Sequence, residues 1–129
     1  MTELTIRTGV LGGGLACLAL EGVLDGRTAA ALEGQLDELS KRGASRFVFD
    51  LERLGTLTSA GAGVFLGTVV SAQEHGGGIA LVRPSPQVQH VIDVLGLADL
   101  FPVAGDLAAA AACIEDLCSM AARAVAETA

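Results

Sequence analysis

The 129-residue chain is half apolar, yet it has no Trp or Tyr and only four Phe, so its core must be built from Ala, Val, Leu and Ile. A length in this range suits one domain and buries a core without disulfides or metal. A net charge of −7 and a pI near 4.6 argue against a nucleic-acid binder, which needs a basic stripe to displace counterions, and against attraction to anionic membranes.

Leu4 and Ile6 alternate with Glu3, Thr5 and Arg7, the pattern of a half-buried strand. Gly9 to Gly14 reads as a turn. Gly12, Gly13 and Gly14 lack the Lys-Ser/Thr of a phosphate cradle and fit a hairpin loop. Leu15 to Leu20 is a second, more continuously apolar strand, suited to the inside of a sheet. Gly22-Val-Leu-Asp25 ends it, and Asp25 and Thr28 are candidate helix N-caps. Ala29, Leu32, Leu36 and Leu39 then recur at helical spacing, with Glu33, Asp37, Glu38 and Lys41 off that stripe and Gly43 as a stop.

Phe47 to Leu51 is the third strand, central by its apolarity. The segment Glu52 to Leu57 reads as a loop leading to a helix that starts near Ser59. Val64, Phe65, Val69 and Ala72 mark its buried side, and Gly76-Gly-Gly78 ends it. His75 falls in the last turn, where it can cap carbonyls and complement the helix dipole. Ile79 to Val82 is the fourth strand. Ser85 and Pro86 start a further helix with Val88, Val91, Ile92 and Leu95 as its stripe, His90 in water and Gly96 at its end. Leu100 to Val103 reads as a short edge strand, because Pro102 cannot donate to a ladder. Asp106 then caps an alanine-rich helix to about Ala126, with Leu107, Ala110, Ile114, Leu117, Ala121 and Val125 on one face. That helix either docks on its own sheet or mediates self-association. Strands alternating with helices predict an α/β fold: one domain over 1–129, with a mixed, mostly parallel five-stranded sheet and four helices.

Most chemistry is absent. Cys17, Cys113 and Cys118 form no CxxC pair, and with two histidines they leave no metal cluster. No apolar run is long enough to span a bilayer, and the start shows no basic region followed by an apolar stretch. A cytoplasmic, reducing setting is the expectation. Gly61, Gly63 and Gly67 approach a dinucleotide fingerprint, but Leu66 stands where the third glycine belongs. A small-ligand or nucleotide binder is the weakest reading. A nucleophile elbow needs glycine where Leu57 stands, and nothing pairs His90 and Asp93 with Ser59, so a hydrolase is not expected. No catalytic residue and no cofactor are expected.

The stretch Asp50 to Gly67 carries the functional signal. It follows an apolar strand and opens a helix, with Ser59 at the junction and Gly61 and Gly63 just after it. Helix starts favour negative charge, because unpaired N–H groups and the positive end of the dipole point outward. Ser59 in its plainest role is an N-cap, contributing about 1 kcal/mol, and Thr58 can share that job.

The whole arrangement resembles a STAS domain, the family named for sulfate transporters and anti-sigma factor antagonists. In its bacterial antagonist branch a strand ending in Asp-Leu is followed by a short loop and Asp-Ser-Ser/Thr-Gly opening a helix. Here these positions read Phe49-Asp50-Leu51 and Thr58-Ser59-Ala60-Gly61, and the family's Gly-Glu-Leu-Asp reads Gly22-Val-Leu-Asp25. The order of elements matches from about Leu4 to Ala126. Thr58 replaces the family's Asp, and Ala60 its second hydroxyl residue. The resemblance implies an anti-sigma factor antagonist that binds an anti-sigma factor and kinase with a histidine-kinase-like ATPase fold. Phosphorylation at Ser59, with Thr58 as the rival acceptor, would switch that binding off. It also implies partner contacts through Asp25, Thr58, Ala60, Gly61 and Ala62. The alternative is a non-phosphorylated interaction module of the same fold in a signalling scaffold or transport assembly.

Overall fold

The structure is a computed structural model and describes residues 4–12, 14–100 and 103–104. Its strands are β1 (Leu4–Gly12), β2 (Leu15–Leu24), β3 (Arg46–Leu57), β4 (Gly78–Val82) and β5 (Val103–Ala104). Its helices are α1 (Ala29–Lys41), α2 (Ser59–Glu74) and α3 (Pro86–Val94), with a 3-10 turn over Leu97–Asp99. The strands lie in sequential order β1-β2-β3-β4-β5, with β1 antiparallel to β2 and every later pair parallel. This is the mixed, mostly parallel sheet expected from the sequence. The fourth expected helix, 106–126, lies outside the described residues, as do Phe101 and Pro102 of the expected edge strand.

Sequential order with right-handed crossovers sends each connecting helix to the same side of the sheet. One face therefore carries the main core. Leu18, Leu20, Phe49, Leu51 and Leu81 point into it and meet Leu32, Leu36, Phe65 and Ile92 from the helices. The Phe49 and Phe65 rings lie 4.9 Å apart at a tilt of 59°, an arrangement aromatic quadrupoles favour. The alternate residues Leu15, Val48, Ala80 and Val82 form a second, smaller cluster on the other face.

Two strands are longer than their local pattern suggests. β1 continues through Gly9 and Val10, which pair with Cys17 and Ala16. Antiparallel pairing to an apolar neighbour overrides the turn propensity of glycine there. The expected loop Glu52 to Leu57 is instead the second half of β3, paired with β2 from Glu21↔Arg53 to Leu24↔Leu57. Register shifts between Ala19 and Glu21 and between Gly22 and Val23 bring Leu54 and Leu57 inward and leave Glu52, Arg53 and Gly55 exposed. Such bulges break the two-residue period by which a strand is read.

Other local signals are obeyed. The Ser85 hydroxyl accepts the Val88 N–H at 3.3 Å with Pro86 behind it. His75 Nδ1 lies 2.9 Å from the Ser71 carbonyl, and His90 is exposed. Gly43 and Gly96 leave their helices with positive φ. Beyond β4, Arg83 reaches back to Asp50 at 2.8 Å and Glu52 at 3.4 Å.

Candidate functional site

The extended tail of β3 delivers the chain directly to the start of α2. The Thr58 N–H donates to the Leu24 carbonyl at 3.1 Å, so the junction is hung on the end of β2. Thr58 has extended backbone (φ −100°, ψ 166°), and its hydroxyl accepts the Gly61 N–H at 3.1 Å. The cap is therefore Thr58, one residue before the serine that the sequence also offered for that role. Ser59 becomes the first helical residue. Its side chain is exposed, and among the described residues its hydroxyl has no hydrogen-bond partner. The Thr58 hydroxyl, in contrast, is half-buried and engaged.

Two of the expected contact residues are not on the surface. Gly61 is buried, and a Cβ placed there would lie 2.3 Å from the Leu24 carbonyl oxygen. Its lack of a side chain lets α2 approach β2; it does not keep a docking surface bare. Ala62 is only 1% exposed and belongs to the core. Both belong to packing. Ser59, Ala60 and Gly63 are the exposed residues of the first turns.

Asp25 and Thr28 order the neighbouring β2–α1 loop. The Asp25 carboxylate accepts the Arg27 N–H at 2.8 Å and the Thr28 N–H at 3.1 Å. The Thr28 hydroxyl donates to the Val23 carbonyl and accepts the Asp25 N–H, both at 2.9 Å. Hydrogen bonds from Thr28 and then Arg27 stabilise the ionised Asp25 carboxyl and hold it below the ordinary aspartate value. A Cβ on Gly26 would sit 3.5 Å from the Ala60 side chain, so this loop lies against the start of α2. Asp25, Gly26, Ser59 and Ala60 thus share one surface. The sequence reading missed Gly26; the available signal was a glycine directly after Asp25 at a strand-to-helix junction.

Among the described residues no three His, Cys, Asp or Glu side chains gather as a metal site. Two grooves lie elsewhere. One, of about 230 Å³, is lined by Arg7, Glu21, Asp50 and Arg53; the other runs between α1 and α2 along Asp37, Gly67 and Ser71. Neither reaches Thr58, Ser59 or Gly61. No described helix is long and apolar enough to cross a membrane.

The chemistry left at this site is that of a free hydroxyl on an electropositive helix tip, near the ordered loop that holds Asp25. Residues 3–110 match the family model described as STAS domain. The chain belongs to the STAS domain family. BtrV of Bordetella bronchiseptica, named as an anti-sigma factor antagonist, is 34% identical over 99 residues, covering 77% of this STAS chain and 85% of BtrV. The anti-sigma F factor antagonist of Paenibacillus polymyxa is 31% identical over 91 residues, 70% of this chain and 78% of that one. The anti-sigma factor antagonist SpoIIAA in its unphosphorylated form superposes with a TM-score of 0.71 at 20% identity, covering 79% of this chain and 89% of its own. The phosphorylated form of Bacillus SpoIIAA gives 0.64, with 79% and 92% covered, again at 20% identity. At that identity the structural likeness concerns the fold of the STAS domain.

Proposed function

We propose that this STAS domain is an anti-sigma factor antagonist that binds an anti-sigma factor with kinase activity and is released by phosphorylation of Ser59. The observation that carries the reading is the division of labour at the start of α2. Thr58 supplies the cap, so the Ser59 hydroxyl is exposed and unspent. Two curated relatives named as anti-sigma factor antagonists support the role, and SpoIIAA, of the same fold, exists in phosphorylated and unphosphorylated forms. Thr58 in place of the family's Asp keeps a good capping oxygen while removing a charge beside the acceptor. As an acceptor Thr58 is the poorer choice, because its modification would break its hydrogen bond to Gly61.

The partner surface comprises Ser59 and Ala60 with the loop at Asp25 and Gly26. Phosphate on Ser59 adds close to two negative charges at pH 7. In the free protein the helix tip stabilises that charge. In a complex it is desolvated and set against a surface shaped for a small neutral residue. A differential of about 3–5 kcal/mol changes occupancy by two to four decades, and no rearrangement of the fold is needed.

The test is incubation with each histidine-kinase-like anti-sigma kinase of the same genome and ATP, with phosphate located by mass spectrometry. Phosphate on Ser59, lost in Ser59→Ala, is expected. Equal modification of Ser59→Ala refutes the assignment. The substitutions at Thr58 and Ala60 favour the second reading, a constitutive interaction module. On that reading Ser59→Asp retains full partner affinity in a pull-down; on the first it weakens binding by about 100-fold or more.

A further inference from the structure

The two edges of the sheet are finished differently. β5, at one edge, is two residues long. β1, at the other, is nine residues long, and among the described residues only β2 pairs with it. In an antiparallel strand the N–H and C=O of every second residue point away from the neighbour, so β1 presents a row of open backbone donors and acceptors. Thr5, Arg7, Thr8, Gly9 and Val10 are all exposed, Val10 at 60%, and a Cβ added at Gly9 would meet nothing within 4 Å. Sheet edges are commonly guarded by a very short strand, by lysine or proline, or by a bulge that twists the edge away. β5 has the first of these guards. β1 has neither lysine nor proline, carries one charge at Arg7, and shifts register only at its end, between Val10 and Gly12.

We propose that this edge is the interface for a second copy of the chain, the two β1 strands pairing antiparallel about a two-fold axis at Thr8 so that two five-stranded sheets become one. The strand complements itself best in that register. Leu4 and Ile6 pack toward the helix-side core, while Thr5 and Arg7 line the groove on the opposite face. A two-fold axis normal to the sheet keeps each face on its own side, so even-numbered residues must meet even and odd meet odd. Centring on Thr8 sets Ile6 against Val10 twice, covering the exposed valine, and lays the Arg7 stem over the bare backbone of Gly9. Centring on Arg7 sets two guanidiniums directly opposite each other. Centring on Ile6 carries Val10 past the start of the partner strand, and centring on Gly9 gives it only threonine. The contact is isologous, so assembly closes at a dimer. The axis also reverses strand direction. Thr58 hangs on the C-terminal end of β2, so the two Ser59 tips lie at opposite ends of the joined sheet. A partner bound at one tip leaves the other free, and the dimer is bivalent.

Sedimentation equilibrium of the full chain is expected to show monomer and dimer exchanging between micromolar and millimolar concentration. Val10→Lys is expected to weaken the dimer by at least ~10-fold, because it charges an apolar cross-strand pair that occurs twice. Gly9 tests the register. Gly9→Arg sets like charges across the axis from Arg7 and Gly9→Glu sets opposite ones, so the dimer constant should move by about 3- to 10-fold in opposite directions. Val10 is exposed and the space above Gly9 is open, so circular dichroism should show these variants folded. A further measurement does not depend on them. A short bis-maleimide added to Thr8→Cys is expected to give a covalent dimer joined through the two introduced thiols, as read by peptide mass spectrometry. A natural chain that stays monomeric to millimolar concentration overturns the proposal. A dimer that Val10→Lys and both Gly9 variants leave unchanged overturns it as well. So does a covalent dimer of Thr8→Cys linked only through Cys17, Cys113 or Cys118, or no covalent dimer at all.

Discussion

Two helices of this domain begin in nearly the same way and end up with different chemistry. At α3, Ser85 caps the Val88 N–H at 3.3 Å; at α2, Thr58 caps the Gly61 N–H at 3.1 Å. Neither first turn contains an acidic residue, so both tips keep their positive end uncompensated. What differs is the residue after the cap and the backbone behind it. At α3 that residue is Pro86, which has no hydroxyl to offer. At α2 it is Ser59, exposed, above a glycine pressed onto the Leu24 carbonyl. A helix dipole alone does not make a switch. A modifiable group must stand on the tip while a different residue does the capping.

The packing half of that contrast predicts the largest effect. Gly61→Ala forces a methyl into the Leu24 backbone, and neither β2 nor α2 has slack to absorb it. A loss of about 3 kcal/mol is expected by urea denaturation. Gly63 is the control on the same helix. Nothing lies within 4 Å of its added Cβ, so Gly63→Ala gains about 0.5–1 kcal/mol from helix propensity. If both substitutions had the same sign, the close approach at Gly61 would not be what positions this helix.

The capping half predicts smaller, matched effects. Thr58→Ala and Ser85→Ala each lose about 1 kcal/mol, because each leaves a first-turn N–H without its acceptor. Ser59→Ala stays within about 0.5 kcal/mol, as an exposed side chain without a partner should. A Ser59→Ala loss as large as that of Thr58→Ala would return the cap to Ser59 and remove the basis for a free acceptor. Thermal melts of the three variants decide it.

Why some of this was legible in the sequence, and some not, follows from range. The α3 start is local: Ser85, Pro86 and the following apolar residues specify it within one turn, and the structure agrees for Val88 and Ile92, whereas Leu95, expected on the same stripe, caps the helix end and is exposed. The identity of the sheet was also readable, since the alternation of strands and helices leaves few topologies. The tail of β3 was not, because its pairing depends on two bulges opposite β2 that no single-strand period reveals. The burial of Gly61 and Ala62 escapes the sequence for a related reason. A glycine after a serine reads as an opening, but the atom it makes room for is the Leu24 carbonyl, 37 residues earlier in the chain. The place of Gly26 beside Ala60 is likewise a contact between distant segments.

The smallest effect separates the two helix starts by pH. Beside α2 stands Asp25, whose ionised carboxyl is held by the Thr28 and Arg27 N–H groups, so its folded value lies below the ordinary 3.8. The unfolded chain has the ordinary value. A carboxyl with a depressed folded value binds protons more weakly in the native state than in the unfolded one, so it favours folding while ionised. Its contribution is complete above about pH 4–5 and is lost as pH falls through the lower folded value. Asn at this position cannot ionise. The stability difference between the natural chain and Asp25→Asn should therefore be greatest near pH 6 and shrink toward pH 3, as read from urea midpoints. Ser85→Ala, which removes a neutral cap at the other helix start, should cost the same at both pH values. If the Asp25→Asn difference did not change with pH, the two N–H groups would be binding the carboxyl oxygen as a neutral acceptor. The loop against Ala60 would then be held by hydrogen bonds alone, with no contribution from the charge.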